Sequence, residues 1–133
     1  MFYAGAALSK DLWDNLIKLS REALGEPVMM ISAWGATETA PLATDCHFQA
    51  ERSGVIGVPV PGVELKLIKS DDQEEVRVRG QNVTPGYWRR PDLTAEAFDE
   101  EGFYLIGDAV RWEDPTHPEK GLLFDGRLGT QIQ

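Results

Sequence analysis

The chain has 133 residues, enough for one domain or a piece of a larger one, and its 42% hydrophobic and 26% charged residues are typical of a globular protein. The formal net charge of -9 argues against general binding to nucleic acids or anionic membranes, but not against nucleotides, which a few local donors can hold. Cys46 is the only cysteine, which excludes an internal disulfide and fits a reducing, cytoplasmic location. We expect neither a signal peptide nor a transmembrane segment, since the apolar runs are too short.

The first predicted element is a helix over residues 10–24. Ser9 can cap it by accepting a backbone N–H, and Gly25 followed by Pro27 is expected to end it. Its apolar side chains recur on one face, as in a helix that packs on a core. They are Leu12, Leu16, Ile17, Ala23 and Leu24.

Residues 28–33 form an apolar run without polar alternation, which predicts a strand buried on both faces, as in a parallel sheet. One helix and one such strand cannot form a layered sheet by themselves. We therefore interpret residues 1–41 as the end of an α/β subdomain cut from a larger domain. An exposed apolar surface, and through it a homo-oligomer, is expected.

The second half is predicted to be β-rich, because short stretches alternate with period two between turn residues. Strands are expected at 54–59, 63–67, 75–79, 103–106, 109–112 and 121–124, with a hairpin turn at 70–73 and a short helix at 93–98. The predicted fold class is thus α+β, one helix and a buried strand followed by a small antiparallel distorted β-barrel or sandwich. Residues 42–127 would form this β-rich subdomain.

Residues 34–39 directly follow the predicted buried strand, at the position where ligands bind in open α/β sheets. Gly35 permits close approach of the backbone, and Trp34 offers an aromatic face to a purine. Thr37 offers a hydroxyl to a phosphate oxygen, and Glu38 is a hard oxygen ligand suited to Mg²⁺. Taken alone, an ordinary chain reversal with an exposed acid explains this segment better.

Two later turns also carry polar groups suited to a nucleotide. Asp108, after Gly107, could accept two hydrogen bonds from a ribose diol, and Arg127, after Gly126, could donate to ribose or phosphate oxygens. Both Gly-Asp and Asp-Gly are equally common in plain turns. The run 78–98 indicates no chemistry and is interpreted as a scaffold for the turn that bears Asp108.

Five segments in order resemble the motifs of the adenylate-forming superfamily, which comprises acyl- and aryl-CoA synthetases, luciferases and peptide-synthetase adenylation domains. Residues 34–38 resemble its aromatic-Gly-x-Thr-Glu signature, and 78–98 its linking segment. Residues 103–108 are similar to its Tyr-x-Thr-Gly-Asp motif, 125–127 to its Gly-Arg hinge, and 3–7 to its Gly-Gly-Ala adenine-side loop. The stretches around 3–7 and 34–41 most resemble the feruloyl-CoA synthetase branch.

The resemblance implies a fragment of the acyl-CoA synthetase N-terminal domain. Residues 1–41 would be the end of its α/β nucleotide-binding subdomain, 42–127 its β-rich subdomain with the ribose-binding turn, and 128–133 the start of a hinge or an altered tail. ATP and a carboxylic acid would form an acyl-adenylate, with Mg²⁺, and CoA would then displace AMP. Thr37 would contact the α-phosphate and Glu38 would hold Mg²⁺, and these two are the predicted catalytic residues. The predicted nucleotide contacts, at the adenine, the ribose and the phosphate, are Gly5, Ala6, Trp34, Gly35, Thr37, Asp108 and Arg127.

The sequence departs from the family's pattern in places. Ile106 stands where Thr is usual, Gly129 follows the hinge motif, and the tail to residue 133 matches poorly. Neither the family's Ser/Thr/Gly-rich phosphate loop nor its lid lysine is found, so we expect the isolated chain to lack synthetase activity. Two alternatives stay open: a fragment of an adenylation domain that loads a carrier protein, and a non-catalytic module that binds AMP or protein.

Overall fold

The computed structural model describes residues 1–129, so most of the hinge or tail predicted at 128–133 lies outside the described residues. The strands within residues 1–129 are β1 (Phe2–Tyr3), β2 (Ile31–Trp34), β3 (Thr44–Cys46), β4 (Val55–Pro59), β5 (Val63–Ser70), β6 (Gln73–Gly80), β7 (Asp108–Trp112) and β8 (Leu122–Arg127). The α-helices are α1 (Lys10–Leu24) and α2 (Pro91–Ala97), and 3₁₀ turns cover Thr37–Thr39 and Pro118–Lys120.

The eight strands form one sheet in the order β1-β2-β3-β4-β8-β7-β6-β5. Only the β1–β2 pair is parallel among them. The predicted α+β class is confirmed, but β2 is not a lone strand, because β1 and β3 pair with it on either side. Its pairing with β3 crosses the boundary expected between residues 41 and 42, and that division into subdomains stays a prediction.

Helix α1 has the predicted bounds, and its predicted caps are confirmed. The Ser9 hydroxyl accepts a hydrogen bond from the backbone of Leu12, and Gly25 adopts φ 79° and donates its N–H to the carbonyl of Arg21. Only Trp13 is buried in this helix, whereas Leu24 is 68% exposed. The apolar face therefore lacks a full covering layer among the described residues.

Strand β2 is shorter than predicted and begins at Ile31 rather than at residue 28. Its burial alternates: Ser32 and Trp34 are buried, whereas Ile31 and Ala33 are half-buried, so the prediction of a strand buried on both faces is wrong. An apolar run fixes no period by itself, and the sheet that forms here is mostly antiparallel with one covered face. Ser32 is accommodated in the core because its hydroxyl donates to the Val55 carbonyl at 2.7 Å.

The antiparallel half follows the predicted pattern more closely. Strands β5 and β6 pair along their full length, from Val63 opposite Gly80 to Ser70 opposite Gln73, around a turn in which Asp71 has φ 52°. The strand expected at 103–106 is reduced to single bridges from Tyr104, because Gly102 and Gly107 take positive φ on either side.

The main core lies where β2, β4, β6, β7 and β8 contribute side chains to one cluster. Its buried members are Trp34, Ala43, Ile56, Val76, Val78, Tyr104, Ile106, Val110 and Leu122. Because Trp34 and Ile106 belong to this cluster, the two polar turns that follow them are anchored to the same core. Neither helix within residues 1–129 is long and apolar enough to cross a membrane.

Candidate nucleotide site

A cavity of about 340 Å³ lies at the end of β2, a size typical of small-molecule sites. Its walls come from the loop before α1, the end of β2, the start of β4, and the two turns that carry Asp108 and Arg127. Six of the eight predicted site residues line it: Gly5, Ala6, Trp34, Gly35, Asp108 and Arg127. Segments more than 100 positions apart in the sequence therefore meet at one place.

Asp108 is the buried carboxylate of this cavity, with only 6% of its surface exposed. The indole Nε1 of Trp34 donates to Asp108 Oδ2 at 2.9 Å, and Arg127 Nε donates to Oδ1 at 3.0 Å. The β7–β8 register places Asp108 opposite Arg127 across the sheet. The charge of the carboxylate is thus compensated by a guanidinium and a neutral donor, as burial of an acid requires.

Trp34 makes a hydrogen bond that the sequence did not predict. Its side chain is 8% exposed and belongs to the main core, and its N–H is committed to Asp108. The ring lines the cavity, and its hydrogen bond supports the Asp108 carboxylate. No sequence pattern predicts this pair, because a tryptophan and an aspartate so far apart share no local motif.

Gly35 is required by close packing. A Cβ at this position would lie 2.4 Å from the Pro41 carbonyl oxygen and 2.6 Å from Thr39 Oγ1, inside contact distance. The loop folds back so tightly because Thr39 Oγ1 accepts from the Ala36 N–H at 2.9 Å and donates to its carbonyl. This fold brings the Gly35 backbone to the wall of the cavity.

Thr37 and Glu38 stand on the 3₁₀ turn that follows, just beyond the cavity wall. Thr37 is exposed and Glu38 is half-buried. Glu38 Oε1 accepts a hydrogen bond from the Tyr87 hydroxyl at 2.9 Å, and its carbonyl accepts from the Thr84 N–H at 2.8 Å. These contacts come from the segment that sequence reasoning treated only as a scaffold.

No group of three or more His, Cys, Asp or Glu side chains within residues 1–129 could hold a metal ion. Mg²⁺ usually keeps several waters and binds one or two carboxylates plus substrate phosphates, so Glu38 alone fits it as the protein ligand of a nucleotide-bound ion.

Two tyrosines lie behind Glu38. Burial raises the pKa of Tyr104, and the neighbouring Tyr87 hydroxyl and Glu38 charge raise it further. The neighbouring Tyr104 hydroxyl lowers the pKa of Tyr87, but burial and the Glu38 carboxylate together outweigh this and leave it above its ordinary value. Both hydroxyls therefore remain protonated donors at neutral pH.

Comparison with known proteins agrees with this fold and motif order. Residues 1–88 match the family described as AMP-binding enzyme. The chain belongs to this family, within the adenylate-forming superfamily that the motifs predicted.

Several relatives are similar along much of the chain. A long-chain-fatty-acid–CoA ligase of Haemophilus influenzae is 37% identical over 61% of this chain and 16% of its own length. A malonate–CoA ligase of Arabidopsis thaliana is 31% identical over 81% of this chain and 22% of its own length. A carboxylic acid reductase of Segniliparus rugosus is 36% identical over 75% of this chain and 8% of its own length.

Among solved structures, a malonyl-CoA ligase complex with methylmalonyl-CoA and AMP matches with a TM-score of 0.75 and 36% identity. It covers 97% of this chain and 27% of that one. A long-chain-fatty-acid–CoA ligase from Archaeoglobus fulgidus matches with a TM-score of 0.76 and 29% identity. This match covers 96% of the present chain and 28% of the Archaeoglobus chain. The chain thus spans less than a third of the length of each of these relatives.

Proposed function

We propose that this chain forms the adenine, ribose and magnesium side of the nucleotide site in an ATP-dependent acyl- or aryl-CoA ligase. The observation that carries the proposal is the meeting of six predicted nucleotide contacts in one cavity, with the Trp34–Asp108–Arg127 arrangement on its wall. The family match and the named CoA ligases among the relatives support the reaction class.

Each polar group then has a role that its chemistry allows. A carboxylate offers about four acceptor sites, so Asp108 keeps capacity for a ribose diol after accepting from Trp34 and Arg127. The backbone at Gly5 and Ala6 lies against adenine. The Thr37 hydroxyl donates to the α-phosphate, and Glu38 holds Mg²⁺.

In the proposed reaction a carboxylate oxygen of the acid attacks the α-phosphorus of ATP. The bond from that phosphorus to the bridging oxygen breaks, which releases pyrophosphate and leaves the acyl-adenylate. The thiol sulfur of CoA, losing its proton, then attacks the acyl carbon, and AMP leaves. Two anions must meet in the first step, so donors placed at the phosphate offset their repulsion, and bound Mg²⁺ would supply further positive charge.

We further propose an aromatic acid of the feruloyl type as substrate, supported by the residues at 3–7 and 34–41. Long-chain fatty acids and malonate, after which relatives are named, are the competing acids. The similarity to a carboxylic acid reductase supports one second candidate, in which the activated acyl group passes to an acceptor other than CoA, such as a carrier protein. The buried free thiol of Cys46 supports a cytoplasmic location for the protein.

The test uses the full-length polypeptide that carries these residues. Acid-dependent exchange of pyrophosphate into ATP is measured for aromatic acids, fatty acids and malonate, followed by mass detection of the acyl-CoA. We expect exchange with one acid class, loss of exchange in Asp108→Ala, and none with the isolated 133-residue chain. AMP binding without exchange for any acid would favour a non-catalytic module, and exchange without acyl-CoA formation would favour the second candidate.

A further inference from the structure

The segment that follows β6 is fastened to the 3₁₀ turn by a set of hydrogen bonds. Asn82 Nδ2 donates to the carbonyls of Thr39 at 2.8 Å and Leu42 at 2.7 Å, and the Thr84 N–H donates to the Glu38 carbonyl at 2.8 Å. The backbone of Glu38 and of the residues that follow it is therefore held by one neighbouring segment. Only the side chain remains to be oriented.

Tyr87 makes the contact that orients this side chain, since its hydroxyl donates to Glu38 Oε1 at 2.9 Å. The tyrosine is itself held in place, because Thr94 Oγ1 accepts its backbone N–H at 2.9 Å and donates to the Arg90 carbonyl. Gly86 allows this approach, since a Cβ there would lie 2.6 Å from Thr94 Cγ2. Helix α2 thus fixes the donor, and the donor fixes the carboxylate.

The Tyr87 hydroxyl is a neutral donor, so Glu38 differs from the acids that form ion pairs with lysine or arginine. Asp99 contacts Lys66 and Arg77, and Asp108 contacts Arg127, so their charges are offset by cations. No Lys, Arg or His within residues 1–129 forms an ion pair with Glu38. A hydroxyl restricts the rotamers of the carboxylate while leaving its negative charge available to a divalent cation.

We propose that Tyr87 is a positioning residue, which holds the Glu38 carboxylate in the orientation that receives the nucleotide-bound divalent cation. The inference rests on the proposed function, in which Glu38 holds that cation. Groups that orient metal ligands typically change metal affinity or activity about 10- to 100-fold when they are removed.

The experiment compares Tyr87→Phe with wild type in the full-length polypeptide. Binding of Mn²⁺ in the presence of a non-hydrolysable ATP analogue is measured by electron paramagnetic resonance, and binding of AMP is measured calorimetrically in chelator. We expect the Mn²⁺ dissociation constant to rise about 10-fold or more, whereas AMP affinity stays within about twofold. Trp88→Phe is the matched control, because this neighbouring aromatic is 85% exposed and is expected to leave both values unchanged.

The Glu38→Gln background separates the possible outcomes. If Tyr87 acts through Glu38, Tyr87→Phe adds no further loss of Mn²⁺ affinity once Glu38 has been replaced. Wild-type Mn²⁺ affinity in Tyr87→Phe, or equal losses of Mn²⁺ and AMP affinity that indicate general damage, would overturn the inference and leave the proposed function standing. Absence of nucleotide binding in the wild type, or no effect of Glu38→Gln on Mn²⁺, would overturn both.

Discussion

The hydrogen bond from Trp34 to Asp108 can be removed by Trp34→Phe, which keeps an aromatic ring but deletes the indole N–H. A hydrogen bond to a charged group contributes about 1.5–3 kcal/mol to stability. Both partners are buried, so the carboxylate cannot recover the bond from bulk water. Arg127 remains as its partner, which restrains Asp108 from one side only.

Trp13→Phe is a matched control for this change. Trp13 is 7% exposed and Trp34 is 8% exposed, but Nε1 of Trp13 has no hydrogen-bond partner within the described part of the chain. Both variants lose the same ring atoms, so the terms for transfer and cavity formation largely cancel between them. We expect the free energy of unfolding of Trp34→Phe to lie about 1.5–3 kcal/mol below that of Trp13→Phe.

The nucleotide provides the second readout. Because 1.4 kcal/mol corresponds to a factor of ten, we expect Trp34→Phe to weaken AMP binding about tenfold, measured by calorimetry on the full-length polypeptide. Preference for AMP over its 2′,3′-dideoxy analogue should fall by a similar factor, because Asp108 would hold the diol less well. Equal AMP affinity in the two tryptophan variants would refute the reasoning, as would an unchanged preference for the diol.

Two further outcomes follow from the ion pairs and the exposed surface. Lys66, together with Arg77, holds the pKa of Asp99 well below the unfolded value of about 3.9, so the stabilisation is complete above that value and is lost as the pH falls below it. Urea unfolding from pH 7 to 2.5 should show this loss in the wild type and a flatter profile in Asp99→Asn; parallel profiles would contradict it. The isolated chain should self-associate through α1 and bind a hydrophobic dye, because Leu19 and Leu24 are exposed. Replacing both leucines by Lys should reduce the association measured by light scattering and the dye binding measured by fluorescence. A monodisperse wild-type monomer without dye binding would refute this.

The elements that were predicted well are those set by local chemistry. Helix α1 has a capping serine at one end and a left-handed glycine at the other, so its bounds follow from neighbouring residues. The β5–β6 hairpin has a clean period of two around polar turn residues. The pattern that predicts each of these elements lies within its own residues and their immediate neighbours.

The elements that were missed depend on long-range pairing. Strands β1 and β3 have two and three residues, too few to show a period, and they exist because β2 lies between them. The predicted site residues could be named from motif order, but their mutual contacts could not. The bonds of Asp108 to Trp34 and of Glu38 to Tyr87 are properties of the completed sheet.

Trp34 and Asp108 are 74 positions apart in the sequence, and this separation has a consequence for folding. Contacts of such long range carry a larger loop-closure cost than the local contacts of α1 or the β5–β6 hairpin. The cavity wall exists only once the sheet has formed, so a nucleotide that binds it stabilises the folded chain over the unfolded one. At 100 times its dissociation constant such a ligand would stabilise the folded state by about 2.7 kcal/mol. In the proposed enzyme, bound nucleotide would therefore stabilise the same sheet that forms its binding site.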